Sequence, residues 1–135
     1  LMINLATAIY QAINNAHEYQ TYQGIAPKSS TYPFVSYRLL PVESTERDKD
    51  FYTLEISCWD KAESDYDTSH GTVMGLAGNV KRGLTQFRYM DEFNWITVER
   101  PFVGYVPDPD PLIKRYDVRA TLQVYRRDQY ESSRF

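Results

Sequence analysis

The chain has 135 residues, of which 24% are charged, and a formal net charge of −3 at pH 7. This length suits one domain over residues 1–135, and the small net charge argues against nucleic acid as the primary ligand. No apolar run approaches the roughly 18 residues of a membrane span, and the first segment lacks the basic start of a signal peptide. We therefore expect a soluble cytoplasmic domain without a membrane partner. Leu1 stands before Met2 and is expected to be a tag or processing remnant.

Cysteine and aromatic content restrict the function classes further. Cys58 is the single cysteine in the sequence, so neither an internal disulfide nor a cysteine-based zinc cluster can form. The chain has 12 Tyr, 6 Phe and 2 Trp, spread along its length. Tyrosine combines an apolar ring with a polar tip and suits surfaces that become buried on assembly. A tyrosine-rich sheet is the alternative interpretation, because aromatic residues favour strands.

The first half of the chain is predicted to form one helix and two strands. Apolar residues recur every three or four positions over residues 2–17, which is the pattern of an amphipathic helix. Residues 18–30 contain glycine, proline and serine and are predicted to be a loop. Strands are expected at 34–40 and 51–59. In the second strand the expected core-facing residues are Tyr52, Leu54, Ile56 and Cys58.

A polar connection separates these two strands. Residues 41–50, PVESTERDKD, contain no apolar residue after Val42. We expect this connection to be too long for a tight hairpin and too polar to be buried.

A second helix is predicted after the second strand. Residues 64–67 resemble a capping box, with acidic groups where a helix N-terminus favours negative charge. The expected buried stripe of this helix consists of Val73, Leu76, Ala77, Val80 and Leu84. Gly83 marks the expected stop. Gly71, Gly75 and Gly78 each cost up to about 1 kcal/mol in a helix relative to alanine, so we expect the sheet to approach the helix closely there.

The last two predicted strands lie at 94–100 and 116–126. Between them, residues 101–111 hold four prolines, which remove backbone donors and forbid regular pairing over most of that length. We expect an extended loop or arm there, and a tail at 128–135 that is flexible until a partner docks. The order of elements predicts an α+β fold, with two helices packed on one face of a mostly antiparallel or mixed sheet of about four or more strands.

Residues that could carry chemistry are few. His17 and His70 belong to no HExxH pattern, and Cys58 is expected on the inward face of a strand, where a thiol behaves as a small apolar group. The acidic cluster at 60–67 lacks the glycine and terminal glutamate of a calcium loop. The proline-spaced aspartates at 108–110 could act in acid catalysis, but this spacing is typical of a stiff, solvated turn. We therefore expect no enzymatic activity, no catalytic residue, no bound metal and no cofactor.

Three segments together resemble a known family. They are YPFVSYRLLPVE at 32–43, FYTLEISCWDK at 51–61 and VMGLAGNVKRGL at 73–84. Their order is similar to that in the tail-terminator, or tail-completion, proteins of long-tailed bacteriophages. In that family an N-terminal helix precedes a P-Y/F-V strand, a variable loop follows, and a second strand ending near an aromatic residue leads into a helix. The resemblance spans residues 3–125 and rests on order and hydrophobicity; the proline-rich segment 101–111 is outside the pattern.

The resemblance implies a structural role without a reaction. Copies of the chain would form a ring, commonly of six, that caps the tail tube and provides the surface for the head-side connector or stopper protein. DNA would pass through the ring as cargo, and the protein would move from the host cytoplasm into the virion. A closed ring needs two different complementary faces on each subunit. The candidate interface residues are Glu43, Glu46, Arg47, Asp48, Lys49, Asp50, Phe102, Tyr105, Asp108 and Asp110.

Three alternatives remain open from the sequence. The two candidate interface loops can simply be solvated. The chain can be another phage neck protein, such as a head-side connector or stopper, which would bind the portal rather than the tube. It can also be a small-molecule-binding or enzymatic α+β domain, which predicts a concave pocket with converging polar groups.

Overall fold

Over the part of the chain that the structure describes, the protein has an α+β fold built from two helices and one mixed six-stranded sheet, in agreement with the predicted class. The computed structural model describes residues 2–42, 49–62, 71–90 and 94–126. The elements are α1 (Met2–Asn15), β1 (Gln20–Gln23), β2 (Phe34–Val42), β3 (Lys49–Lys61), α2 (Gly71–Thr85), β4 (Tyr89–Met90), β5 (Asn94–Tyr105) and β6 (Ile113–Arg126). The strand order is β1-β2-β3-β6-β5-β4, with β1 parallel to β2 and every other pair antiparallel.

One face of the sheet forms the core. Leu54, Ile56 and Cys58 on β3 are fully buried, which confirms the predicted alternation. Ile56 lies opposite Tyr37 on β2 and Val118 on β6, so alternate residues of the three strands share this face. The same cluster contains buried residues of both helices. Burying each large aliphatic side chain contributes about 1.5–3 kcal/mol.

The two predicted helices are confirmed. Helix α1 buries Ile9 and Ile13 against the sheet. Helix α2 buries the predicted stripe, which is Val73, Leu76, Ala77, Val80 and Leu84. The predicted capping pattern at 64–67, His70 and the tail at 128–135 lie outside the described residues.

The prediction of a close approach at the α2 glycines is wrong for Gly75 and Gly78. A Cβ at either position would meet no atom within 4 Å. The crowded position is instead Gly83, where a Cβ would lie 2.9 Å from the Cβ of Ala16, just after α1. Gly83 is also inside the helix, which continues to Thr85. This glycine therefore allows the ends of the two helices to pack closely.

Strand β1 was not predicted, since residues 18–30 were expected to be a loop. The four-residue strand QTYQ has no apolar alternation, and it forms through parallel pairing with β2, beginning with Gln20 opposite Phe34. Side chains hold it to α1. The Thr21 hydroxyl on β1 donates to Oδ1 of Asn14 on α1 at 3.1 Å.

The polar connection at 41–50 is shorter than predicted. Strand β2 continues to Val42, which lies opposite Phe51, and β3 begins at Lys49. Lys49 and Asp50 extend the pairing with β6. Polar residues are tolerated there because the ends of strands remain accessible to water.

The prediction of a loop over all of 101–111 is also wrong. Strand β5 continues to Tyr105, and its register with β6 shifts between Glu99 and Phe102. Arg100 has φ of 50° at this bulge. A β-bulge interrupts the ladder of hydrogen bonds, so Pro101, which has no N–H to donate, is accommodated. The remaining three prolines lie in the connection at 106–112.

Candidate assembly surface

The predicted interface residues fall into two separate regions. Lys49 and Asp50 lie at the start of β3, and Lys49 is opposite Tyr125 near the end of β6. Phe102 and Tyr105 lie on β5 opposite the first half of β6, where Tyr105 pairs with Tyr116. The nine residue steps from Tyr116 to Tyr125 correspond to about 30 Å of strand. Asp108 and Asp110 lie in the connection beyond β5. Glu43, Glu46, Arg47 and Asp48 lie outside the described residues.

Lys49 already has contacts within its own chain. Its Nζ atom is 5.2 Å from the ring centroids of both Phe51 and Tyr125. Cation–π contacts of this kind contribute about 0.5–1 kcal/mol at exposed sites. Lys49 therefore helps to fix the end of the sheet, whether or not it contacts another subunit.

Exposed apolar side chains concentrate on strands β4 and β5, at one edge of the sheet. Of the ten large apolar side chains that are exposed in the described part of the chain, five lie there. They are Met90, Trp95, Phe102, Val103 and Tyr105, and together we call them the β5 edge surface. Phe102 is 57% exposed. They are spread along the edge, from Trp95 opposite Tyr125 to Tyr105 opposite Tyr116, and exposed apolar side chains along a sheet edge mark an interaction site or an aggregation hazard.

Sequence reasoning selected Phe102 and Tyr105 but missed the other three members of this surface. Trp95 and Val103 lie on a strand whose neighbours cannot be inferred from local pattern. Met90 belongs to the two-residue strand β4. The sequence signal for this surface is that apolar residues occupy both alternating faces of the segment 102–106, FVGYV. This pattern is unusual for a strand with one solvated face.

The face of the sheet opposite the helices is polar and ordered by ion pairs. Glu55 on β3 accepts from Arg38 on β2 at 2.5 Å and from Arg119 on β6 at 3.2 Å. Arg115 donates to both carboxylate oxygens of Asp117, at 2.9 and 3.1 Å. The Asp117 side chain is only 5% exposed, so this two-point contact satisfies a carboxylate that has lost most of its water.

A groove of about 440 Å³ lies on this polar face, toward the β1–β2 edge. We call it the β2 groove. It is lined by the loop at 24–30, by aromatic rings and by charged groups of β2, β3 and β6. Gly24, at φ 86°, starts the loop and donates its N–H to the Tyr37 carbonyl at 2.8 Å. Ile25 in this loop is 96% exposed, although burial of an isoleucine is normally favourable.

Aromatic rings form the floor of the β2 groove. The Phe34 ring centroid lies 5.0 Å from that of Tyr32 and 6.0 Å from that of Trp59. The guanidinium carbon of Arg115 lies 4.8 Å from the Trp59 ring centroid. Trp59 Nε1 donates to the Ser36 hydroxyl at 3.1 Å. These contacts order the aromatic rings of the groove floor within the single chain.

The polar groups of the groove are largely paired with one another. The small-molecule alternative predicts a concave pocket with converging polar groups, and the β2 groove is concave and contains Arg38, Glu55 and Arg115. Arg38 and Glu55 form an ion pair, and Arg115 is bound to Asp117. The described residues contain no group of three or more histidine, cysteine or acidic side chains placed to hold a metal ion.

His17 and Cys58, the histidine and the cysteine that the structure describes, occupy structural positions. His17 Nδ1 accepts from the Tyr19 N–H, so its Nε2 carries the proton and donates to Thr21 Oγ1 at 2.7 Å. Burial lowers the pKa of His17. Burial, with a further contribution from Asp117, raises the pKa of Cys58 to about 12. A thiol with this pKa is almost entirely protonated at neutral pH and is a poor nucleophile.

Neither helix in the described part of the chain is long and apolar enough to span a membrane.

Comparison with known proteins gives a similarity of fold. No protein-family model and no curated protein sequence matches the chain. A solved chain from the virion of a native gene transfer agent particle superposes with a TM-score of 0.61 and 15% identity, covering 90% of this chain and 94% of that one. Another solved structure, of a protein without a descriptive name, has a TM-score of 0.66 and 6% identity, covering 92% and 95%.

Proposed function

We propose that this chain is a non-enzymatic structural subunit of a phage-like virion, and that it acts as a tail terminator. The observation that carries the proposal is the fold shared with a gene transfer agent virion chain over nearly the full length of both chains. The order of segments at 32–43, 51–61 and 73–84 supports the same assignment, because it resembles the tail-terminator family.

The arrangement of exposed groups supports assembly into a ring. Heterologous contacts that close a ring require two different surfaces on each subunit. Strands β1 and β4 are at opposite ends of the strand order. The β5 edge surface lies at the β5–β4 edge of the sheet, and the β2 groove with Ile25 lies toward the β1–β2 edge. Two distinct surfaces at opposite edges suit head-to-tail contact between copies.

In this role, about six copies form a ring on the end of the tail tube, as the family resemblance implies. The ring binds the tail tube protein on one side and the head-side connector or stopper on the other. DNA passes through the ring as cargo. The net charge of −3 per chain gives no overall electrostatic attraction to the phosphates of the duplex. The protein assembles in the host cytoplasm and remains in the virion at the junction of tail and neck.

The experiment that tests this function is co-sedimentation of the purified chain with two separate assemblies from the same particle. One is the polymerised tail tube, and the other is the portal. A tail terminator binds tube ends and appears by electron microscopy as a cap on one end of each tube. Binding to the portal instead assigns the chain to the head side, as a connector or stopper. Binding to neither contradicts a role in the neck.

The control for this experiment is a variant that keeps the fold and alters an exposed apolar residue away from both surfaces. Met74, on the exposed side of α2, is 54% exposed. Met74→Ser is expected to bind as the original chain does, which separates loss of a specific surface from a general change in solubility.

A further inference from the structure

We infer that the β2 groove binds the proline-rich connection at 106–111 of a second copy of this chain. The inference deepens the proposed function and rests on it, since it specifies the contact between neighbouring subunits. Groove and connection lie on the same polypeptide, so repeated contacts of this kind link one copy to the next.

The β2 groove combines aromatic rings with an excess of positive charge. Tyr32, Phe34 and Trp59 supply rings, and Lys28, Arg38 and Arg115 supply cations at its walls. Including the neighbouring ion-pair partners, four cations (Lys28, Arg38, Arg115 and Arg119) face two carboxylates (Glu55 and Asp117). The groove region therefore carries a net charge of +2, although Arg38, Arg115 and Arg119 each already form an ion pair with Glu55 or Asp117.

The connection at 106–111 has the complementary chemistry. Its sequence, VPDPDP, alternates prolines with Asp108 and Asp110 and contains no basic residue. All three prolines are exposed. Proline fixes φ near −65° and keeps such a segment extended, and proline-rich segments dock into grooves lined by aromatic rings. Two carboxylates match the net charge of +2 of the groove region.

The connection is held in one shape before it binds. Asp108 Oδ1 accepts from the Asp110 N–H at 2.9 Å, and Asp110 Oδ1 accepts from the Leu112 N–H at 3.0 Å. In both carboxylates the Oδ2 atom has no hydrogen-bond partner among the described residues and remains able to accept from a cation. A preorganised segment loses less conformational entropy on binding than a disordered one.

A second copy fits the groove better than the same copy does. No residue of the described connection lines the groove of its own chain. The connection joins β5 to β6 and meets the groove strands only at their end, where the Val106 N–H donates to the Arg115 carbonyl at 3.0 Å. The connection is also continuous with the β5 edge surface, because it follows Tyr105 directly in the chain. Docking of the connection therefore brings the exposed apolar groups of β5 toward the neighbouring subunit.

The test exchanges charge between the two partners. One variant carries Asp108→Lys and Asp110→Lys, and the other carries Lys28→Glu and Arg38→Glu. Each variant alone is expected to weaken assembly at least about tenfold, measured as the concentration of half-assembly by light scattering. An equimolar mixture is expected to assemble, because each altered groove then meets an altered connection. Asp108→Asn with Asp110→Asn removes the charge but keeps the Oδ1 acceptors, which controls for the shape of the connection.

A second measurement detects the contact even where it is too weak to give a stable ring. The double variant Ile25→Cys/Pro109→Cys places thiols on the groove rim and the connection. Native Cys58 does not interfere, because it is buried. Under oxidation at high protein concentration, a ladder of dimers and larger species is expected. The control Met74→Cys/Pro109→Cys is expected to give none.

The outcomes separate this inference from the proposed function. Restoration of assembly by mixing, or a specific ladder, supports the groove contact. Unchanged assembly of both charge variants, together with no ladder above the control, overturns it and leaves tail-tube binding intact. If the unmodified chain does not bind tail tubes while the Ile25→Cys/Pro109→Cys variant forms a specific ladder, the tail-terminator role is overturned. Self-association through the groove is then still supported.

Discussion

A Cβ placed on Gly83 of α2 would lie 2.9 Å from the Cβ of Ala16, immediately after α1. Because the Ala16 Cβ is attached directly to the backbone, it cannot move aside as the end of a flexible side chain can. The glycine is therefore required by the packing of the two helices, and not by the end of α2.

Substitution of this glycine is expected to destabilise the fold. Gly83→Ala overpacks the contact between the helices and should lower the free energy of unfolding by about 1–3 kcal/mol. Gly78→Ala is the matched control, because a Cβ there meets nothing within 4 Å. That change should raise the free energy of unfolding by about 0.5–1 kcal/mol, since alanine is the better helix former. Urea unfolding measures both, and equal effects would contradict the assignment.

Removal of the Tyr37 hydroxyl is expected not to destabilise the protein. Tyr37 is 3% exposed, and its hydroxyl has no hydrogen-bond partner among the described residues. Tyr37→Phe keeps the ring and removes a desolvated polar group, so the free energy of unfolding should stay the same or rise by up to about 1 kcal/mol. Tyr37→Ala should lose about 3–5 kcal/mol through the cavity it leaves. A clear loss of stability in Tyr37→Phe would reveal a partner for the hydroxyl.

His17 is expected to make stability depend on pH in the mildly acidic range. Burial lowers its pKa in the folded state below the ordinary value of 6.5, so the unfolded chain takes up a proton first. The contribution of neutral His17 to stability is complete above pH 6.5 and is lost as the pH falls through the folded-state pKa. Unfolding midpoints in urea at pH 7.5 and 5.0 measure this change. The difference between the two midpoints should shrink in His17→Gln; an equal difference in both proteins would exclude His17 as the cause.

The β5 edge surface is expected to contribute to assembly and not to the fold of one subunit. Phe102→Ser removes a ring that is 57% exposed, so the free energy of unfolding should change by no more than about 0.5 kcal/mol. If the ring is buried between subunits, assembly should weaken by about tenfold or more. Met74→Ser, which alters a similarly exposed side chain on α2, should assemble normally. Equal assembly of the two variants would remove Phe102 from the interface.

The elements with long, regular patterns could be predicted from the sequence. The buried stripe of α2 and the alternation of Leu54, Ile56 and Cys58 can be read from neighbouring residues alone. One face of each element lies against the core, so the spacing of the apolar residues reveals it. Strands β1 and β4 could not be predicted in this way. They contain four and two residues, and pairing with a neighbouring strand stabilises them more than their own sequence does.

The two candidate surfaces depend on information that no local pattern carries. Phe102 and Tyr105 were selected from a segment expected to be a loop, but they lie on β5 because the bulge at Arg100 accommodates Pro101. The β2 groove requires Trp59 and Arg115 to lie side by side, which follows from the register of β3 with β6. Strand order and register result from tertiary packing, so both surfaces emerge only from the fold.

The most direct test of the central claim is the absolute mass of the purified protein across a wide concentration range, by light scattering coupled to size exclusion. Self-assembly into a closed ring predicts one dominant species near six times the chain mass of 15.8 kDa, with a mass that stays constant as concentration rises. The mass should fall toward that of one chain in Phe102→Ser. A mass of one chain at every concentration, together with no binding to tail tubes, would contradict the account.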